Sequence, residues 1–248
     1  MIKCTFTNTS KSHSEIIQYV KQKKQGNPNY KVLDIGGGVN SWTSEIADLI
    51  VDINVEDSKK TLKADICNDL DHQKLINYVK ENGIFDYCIC THTLEDLYNP
   101  FPALNNMPKL AHAGVITMPS IVDELSPVQN LAWNGYLHHR WIFDYLDGNI
   151  FIIPKIFGLE AFISSKMSKI KGSEIKYEWE KEIPYKIFMN NYLGPDIPTV
   201  IENLELLVNK LNSESRGSFR FNNIHTRSRR ITMRIFRFFK MKFGIYLK

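Results

Sequence analysis

The sequence predicts an α/β fold built on a doubly wound, mostly parallel sheet, and three observations predict it. Strand-like and helix-like segments alternate from residue 30 to 118, the signature of a parallel sheet with helices on both faces. A glycine run, Gly36-Gly37-Gly38, follows directly on the first strand of that series. An acid, Asp52, ends the next strand, 18 residues beyond Asp34. Right-handed crossovers make such a sheet doubly wound and Rossmann-like.

Ser14 opens a helical pattern in which Ile16, Ile17 and Val20 share one face, and Asn27-Pro28-Asn29 breaks it. Tyr30–Ile35 reads as a strand. Asn40, Ser41 and Thr43 suit the cap of a helix through Glu45, Ile46 and Ala47. Leu49–Ile53 is the second strand, Leu75–Val79 a helix, and Phe85–Cys90 a buried strand. A helix containing Ala103, Leu104, Met107 and Leu110 leads to Gly114 and the strand Val115–Met118. Trp141–Leu146 and Ile150–Ile153, joined through Asp147-Gly148-Asn149, predict a C-terminal β-hairpin, because Asp-Gly supports a tight turn. Another extended stretch, Ile175–Glu180, precedes Pro184; Asn191–Pro198 is loop-like, and Thr199–Leu211 is an amphipathic helix. The segments after Pro119 read as substrate-side insertions.

The chain has 248 residues, 43% of them apolar and 23% charged, enough core-forming material to exclude disorder for its bulk. Its net charge of +4 averages two unlike parts. Residues 225–248 hold eight Arg or Lys and no acid, leaving residues 1–224 with 23 bases against 27 acids. The expected organisation is one domain over 1–224 followed by a basic amphipathic tail over 225–248. Cys4, Cys67, Cys88 and Cys90 lack zinc-site spacing and read as reduced thiols. Met1–Asn8 has no apolar core of signal-peptide length, and no stretch reaches ~18 unbroken apolar residues. A cytoplasmic protein is expected.

The glycine turn lets backbone approach a ligand, and a helix end there would offer free N–H groups. Asp52 stands where an acid can accept both hydroxyl hydrogens of a ribose. Together they point to a nucleotide-type ligand. A dinucleotide fingerprint would place glycine where Ser41 stands. Asp34, two residues before the first glycine, would repel a pyrophosphate and suits a ligand with a cationic amino-acid end.

At this point the chain resembles the class I S-adenosylmethionine-dependent methyltransferases, over roughly residues 12–155. Val32-Leu33-Asp34-Ile35-Gly36-Gly37-Gly38 looks like the motif that holds the methionine part of the cofactor. Asp52 matches the ribose-binding acid, and Ala64-Asp65-Ile66-Cys67 looks like the adenine-side motif. Phe85-Asp86-Tyr87-Cys88 through Leu94-Glu95-Asp96 resembles the fourth-strand motif. Asn40 replaces a frequent third glycine and Asp96 a frequent His. The resemblance implies an S-adenosyl-L-methionine site formed by Asp34, Gly36, Gly37, Gly38, Asp52, Ile53, Asp65, Ile66, Thr91 and His92.

Gly135-Tyr136-Leu137-His138-His139-Arg140-Trp141, with Met118-Pro119-Ser120 and Glu124, is similar to a branch associated with surface-glycan and sugar modification. That branch implies O-methylation of a sugar hydroxyl on a glycan or nucleotide-sugar. A hydroxyl acceptor needs somewhere to send its proton, and His is the usual base. His139 or His92 would fill that role, with His138 beside them and Arg140 orienting a phosphate or the substrate. The competing packing reading has one histidine and Trp141 under the hairpin, and Arg140 paired with Asp123 or Glu124. Trp133, Tyr136, Trp141, Tyr177 and Trp179 offer a sugar-stacking wall or ordinary core packing. His92, Asp96, Asp123, Glu124, His138 and His139 could ligate a divalent ion. No pair has the i, i+4 spacing of a defined metal motif, so a metal is not the favoured reading.

In the tail, Arg230, Arg234, Arg237 and Lys240 share one helical arc, apart from Ile231, Ile235, Phe238 and Phe239. Such a helix can lie peripherally on an anionic membrane surface, bind nucleic acid, or dock on the domain or on a second copy in a homo-oligomer. A nucleic-acid or protein methyltransferase using the tail, and a non-catalytic interaction module, are the competing functional readings. The Asn/Asp-Pro-Pro-Tyr signature of base N-methyltransferases is absent after the fourth strand, where Thr91-His92-Thr93-Leu94 stands.

Overall fold

A computed structural model describes residues 3–128, 134–156, 163–165, 174–188, 197–216 and 218–221. Trp133 and the 225–248 tail lie outside them. The protein is mixed α/β with a large, mostly parallel central sheet. In chain order the sheet uses β1 (Lys3–Thr7), β2 (Val32–Ile35), β3 (Leu49–Asp52), β4 (Thr61–Lys63), β5 (Phe85–Thr91), β6 (Ala111–Pro119) and β10 (Glu174–Glu180). Their spatial order is β1-β10-β6-β5-β2-β3-β4. The run from β4 to β6 is parallel, whereas β10 is antiparallel to both β6 and β1. This is compatible with the predicted class.

The pleat sorts side chains to two faces. Val32, Tyr87, Ile89 and Val115 pack with Ile16 and Val20 of helix α1 (Thr9–Gly26). Leu33, Ile35, Leu49, Val51, Cys88 and Cys90 point the other way, toward Leu75 of α2 (Asp69–Asn82) and Ala103, Leu104 and Met107 of α3 (Phe101–Leu110). Both faces are therefore buried, which is why the central strands read as continuous apolar runs. The Asn8 side chain accepts the Lys11 N–H at 3.0 Å to start α1, and Asn68 accepts the Leu70 N–H at 2.8 Å to start α2.

The predicted hairpin forms as β7 (Trp141–Leu146) and β8 (Asn149–Pro154), with Asp147 at φ 49° and Gly148 at φ 83° in its turn. It joins a separate sheet in which β11 (Tyr185–Ile187) runs parallel to β8. One side of the hairpin, with Trp141, Phe143, Ile150 and Ile152, enters the main core. Its other side, with Ile142, Phe151 and Ile153, meets Val122 of the short helix α4 (Ile121–Glu124) and Val200, Leu204 and Val208 of α5 (Ile197–Ser213). The remaining short strands, β9 (Ile163–Ser165) and β12 (Phe219–Phe221), pair with each other.

Several elements depart from the sequence reading, which assigns nothing to β4, α4, β9, β11 or β12. The helix expected after the glycine run is a series of turns closed by bonds such as Ala47 N–H to Thr43 O at 2.9 Å. Only a few residues separate the turn from Asp48, whose carboxylate fastens the chain by accepting the Val32 N–H at 2.8 Å. The N-terminal segment, not predicted as a strand, forms edge strand β1. Its polar, half-exposed residues carry little alternation, and its pairing partner, β10, lies some 170 residues away.

Candidate functional site

Strand order sets the place of the site. The chain steps from β2 to β3 and β4 on one side, then crosses back to β5 on the other side of β2. Loops leaving the carboxyl ends of β2 and β5 diverge there, and open α/β sheets form their ligand crevice at that switch point. A cavity of about 350 Å³ lies at this edge, within the size range of small-ligand sites. Its lining takes residues from four successive strand ends: Gly36 after β2, Asp52 and Ile53 after β3, Asp65 and Ile66 after β4, and His92 after β5. Arg140, just before β7, lines it as well.

The glycine turn is built by contact. Gly36 sits at φ 81°, donates its N–H to Val51 O at 2.8 Å, and has no room for a Cβ because the Thr93 side chain occupies that space. A Cβ on Gly37 would collide with the Asp34 carboxylate. Asp34 is 1% exposed beneath the turn and accepts a hydrogen bond from the Thr43 hydroxyl. Burial raises its pKa to about 6; the Thr43 bond opposes this and repulsion from Asp52 adds to it. Asp34 lies beneath the turn and Asp52 on the cavity wall, near enough for their charges to repel.

Asp52 is half-buried, and its Oδ1 accepts the Asn54 N–H at 2.7 Å. Asp65 accepts the Cys67 N–H at 2.8 Å through Oδ1, while its own N–H donates to Asp71 at 2.7 Å. The adjoining Ile66 carbonyl is braced by His72 Nε2 at 2.6 Å. Ile53 and Tyr98 present exposed apolar surface, at 55% and 60%, along the cavity. Such surface suits a flat heteroaromatic ring. Gly36, Asp52, Ile53, Asp65, Ile66 and His92 therefore share one cavity, whereas Asp34, buried against Gly37, and the expected Gly37, Gly38 and Thr91 are not in its lining. Tyr98, Leu97 and Asn54 line it too and were missed, because nothing in their spacing separates them from loop residues.

The four expected catalytic residues divide into two groups. His92 follows β5 at φ 48°, an uncommon conformation for a non-glycine residue. Its Nε2 lies 2.5 Å from Glu174 and its Nδ1 3.4 Å from Glu95. Burial disfavours its charge, but the two carboxylates outweigh burial and push its pKa up to about 10. Glu174, 3% exposed and also bonded by the Ser12 hydroxyl, titrates below its ordinary range: the His92 and Ser12 bonds overcome the burial that would raise it. His92 is thus favoured as a cation and is a poor base, its Nε2 bonded to Glu174 and its Nδ1 3.4 Å from Glu95 without a hydrogen bond.

His139 is arranged differently. Its side chain is 6% exposed, and Nδ1 lies 2.6 Å from Glu124 Oε1. Glu124 is itself buried, and its other oxygen takes Lys155 Nζ at 2.5 Å. Lys155 also donates to Tyr136 O at 2.6 Å. On the far side of the ring, His139 Nε2 stands 3.8 Å from Asp96 Oδ1, which the exposed His138 approaches at the same distance. Glu124 has Lys155 and His139 as partners, in place of the Arg140 weighed from the sequence.

The stacking wall is mostly core. Trp141, Tyr177 and Trp179 are 8%, 0% and 1% exposed, and the Trp141 indole donates to Leu97 O at 2.8 Å. Tyr136 alone of the four described aromatics stays at the site, its ring centroid 4.5 Å from that of His139. Among the six residues considered for a metal, Asp96, His138 and His139 converge, whereas His92 sits with Glu174 and Glu95. Among the described residues no helix is long and apolar enough to cross a membrane. No family model and no curated protein matches the chain.

Proposed function

We propose that the protein is an S-adenosylmethionine-dependent O-methyltransferase acting on a sugar hydroxyl of a glycan or nucleotide-sugar. The observation that carries this reading is the convergence of Gly36, Asp52, Asp65 and Ile66, from three successive strand ends, on one cavity where the strand order of the mostly parallel sheet reverses. Asp52 would accept the ribose hydroxyls, and Ile53 and Tyr98 would flank the base. The acidic ground under the glycine turn would attract the cationic methionine end. S-adenosylmethionine supplies a methyl group activated by its sulfonium.

The acceptor end is assigned to the rim where Asp96 and Arg140 line the cavity, with His138 and His139 each 3.8 Å from Asp96. Methyl transfer is an in-line displacement, so the main task there is alignment, worth several kcal/mol of barrier. Arg140 lines the cavity and would hold an anionic group, such as the phosphate of a nucleotide-sugar. The oxygen that gains the methyl must lose its proton. In the metal-free chain, His139 is the side chain best prepared to receive it. A hydrogen on Nδ1 directed at Glu124 leaves a lone pair on Nε2, facing Asp96 and the rim.

The test is transfer of labelled methyl from S-adenosylmethionine to a panel of nucleotide-sugars and glycan extracts. Label should appear in a sugar fraction and depend on Asp52. Binding of S-adenosylmethionine without transfer to any sugar would overturn the substrate assignment. Absence of binding in calorimetry would overturn the reading as a whole.

A further inference from the structure

We propose that Asp96, His138 and His139 form a binding site for one divalent transition-metal ion at the rim of the cavity. Their ligand atoms, a carboxylate oxygen and two imidazole nitrogens, all lie within 4.8 Å of one another, and each Nε2 is 3.8 Å from Asp96 Oδ1. Donors held at about 2.1 Å from a tetrahedral ion are about 3.4 Å apart. Closing the difference takes about 0.4 Å on each histidine–Asp96 separation and at most about 1.4 Å between the two histidine nitrogens, with Asp96 and His138 both exposed.

The second set of contacts points the same way. Metal-ligating histidines characteristically donate the other ring N–H to a carboxylate, which fixes the tautomer and raises ligand basicity. His139 does so to Glu124 at 2.6 Å, inside the protein, with Glu124 balanced by Lys155. A solvent-exposed pair would not need this two-layer support. The chemistry selects among ions: two imidazoles and one carboxylate suit Zn²⁺, Mn²⁺ or Co²⁺. Mg²⁺ and Ca²⁺ take oxygen ligands and are disfavoured.

Three protein ligands leave coordination positions open. Asp96 lines the cavity, so an ion held by it stands where an acceptor oxygen would enter. There it would lower the pKa of a bound hydroxyl, and His139 would act as a ligand instead of as a base. That role rests on the methyl-transfer reading. The site itself rests on side-chain geometry, and its test involves no methyl transfer.

The untagged full chain, freed of metal by chelator, is titrated with Zn²⁺ in a calorimeter and with Co²⁺ by visible absorption. One ion per chain is expected, with Co²⁺ developing d–d bands. Asp96→Asn and His138→Ala alter exposed side chains and should keep the wild-type melting temperature while weakening Zn²⁺ by more than about tenfold. Glu124→Gln should weaken it about 10- to 100-fold without removing a ligand. No binding of either ion, or equal affinity in wild type, Asp96→Asn and His138→Ala, would overturn the site. Success here with failure of the transfer assay would leave a metal site without the proposed reaction.

Discussion

The Glu124 carboxylate and the His139 ring meet at 2.6 Å with both side chains almost wholly buried, and Lys155 closes the same carboxylate from its other side at 2.5 Å. Glu124 ends the short helix after β6, His139 precedes the hairpin, and Lys155 follows it. One buried acid therefore ties together three segments around the cavity rim. Replacing it by Ala would leave the Lys155 ammonium, 11% exposed, without its carboxylate. Breaking a buried pair from one side costs about 3 kcal/mol. Urea unfolding of Glu124→Ala should show a loss of that order, and Glu124→Gln, which keeps an acceptor oxygen, a smaller one. Equal and negligible losses in both variants would mean that water already screens the pair.

His92 and Glu174 predict a pH dependence of opposite character at the two ends of the scale. The folded His92 pKa, about 10, lies above its ordinary 6.5. Its contribution is therefore full below pH 6.5 and is lost as pH rises toward 10. The Glu174 pKa is lowered from 4.5, so its contribution is present above that value and is lost in acid. The difference in unfolding free energy between wild type and His92→Gln should be largest near pH 5–6.5 and vanish above pH 10. A difference that stays flat from pH 6 to 10 would show that His92 is neutral in the fold.

Legibility in the sequence followed the range of the forces involved. Strands β2, β3, β5 and β6 were visible because burial on both faces makes them short apolar runs, and the hairpin because Asp147-Gly148 has a local conformational requirement. The place of Asp52 beside the cavity was visible because it ends a recognisable strand, whereas Asp65 follows β4, which has no strand-like run of its own and was picked out only through the resemblance. What could not be read depends on distant partners. His92 looked like a free base until β10 brought Glu174 against it, 82 residues on. The pairing of Glu124 with Lys155, and not Arg140, is decided by how the hairpin folds back. Trp141, Tyr177 and Trp179 carry no local mark that they are core and not wall.

Gly36 should be intolerant of substitution for two separable reasons. Its φ of 81° disfavours any L side chain, at about 1 kcal/mol. Its missing Cβ leaves room for the Thr93 side chain, and a methyl group there adds a clash that Thr93 must shift to relieve. Gly36→Ala should therefore lose more than the conformational term alone, roughly 2–3 kcal/mol in denaturant unfolding. Adding Thr93→Ala removes the hydroxyl and methyl nearest the new group and should recover part of that loss, leaving the φ penalty. If the double variant is no more stable than Gly36→Ala alone, the clash lies elsewhere in the turn.

Asp52 offers the sharpest probe of what the cavity holds. Its Oδ1 already accepts the Asn54 N–H, so Asp52→Asn can keep that bond and the local turn while replacing the second acceptor with a donor. Hydrogen bonds to a charged group are worth about 1.5–3 kcal/mol. On the proposed methyltransferase reading, affinity for S-adenosylhomocysteine should fall by roughly 10- to 150-fold in calorimetry, with unchanged far-ultraviolet circular dichroism. The loss should belong to the ribose hydroxyls in particular. A 2′-deoxy analogue, already weakened on the wild-type protein, should therefore lose much less on going to Asp52→Asn, a coupling that a double-mutant cycle reads directly. Equal losses for the hydroxylated and deoxy ligands would place the ribose away from Asp52.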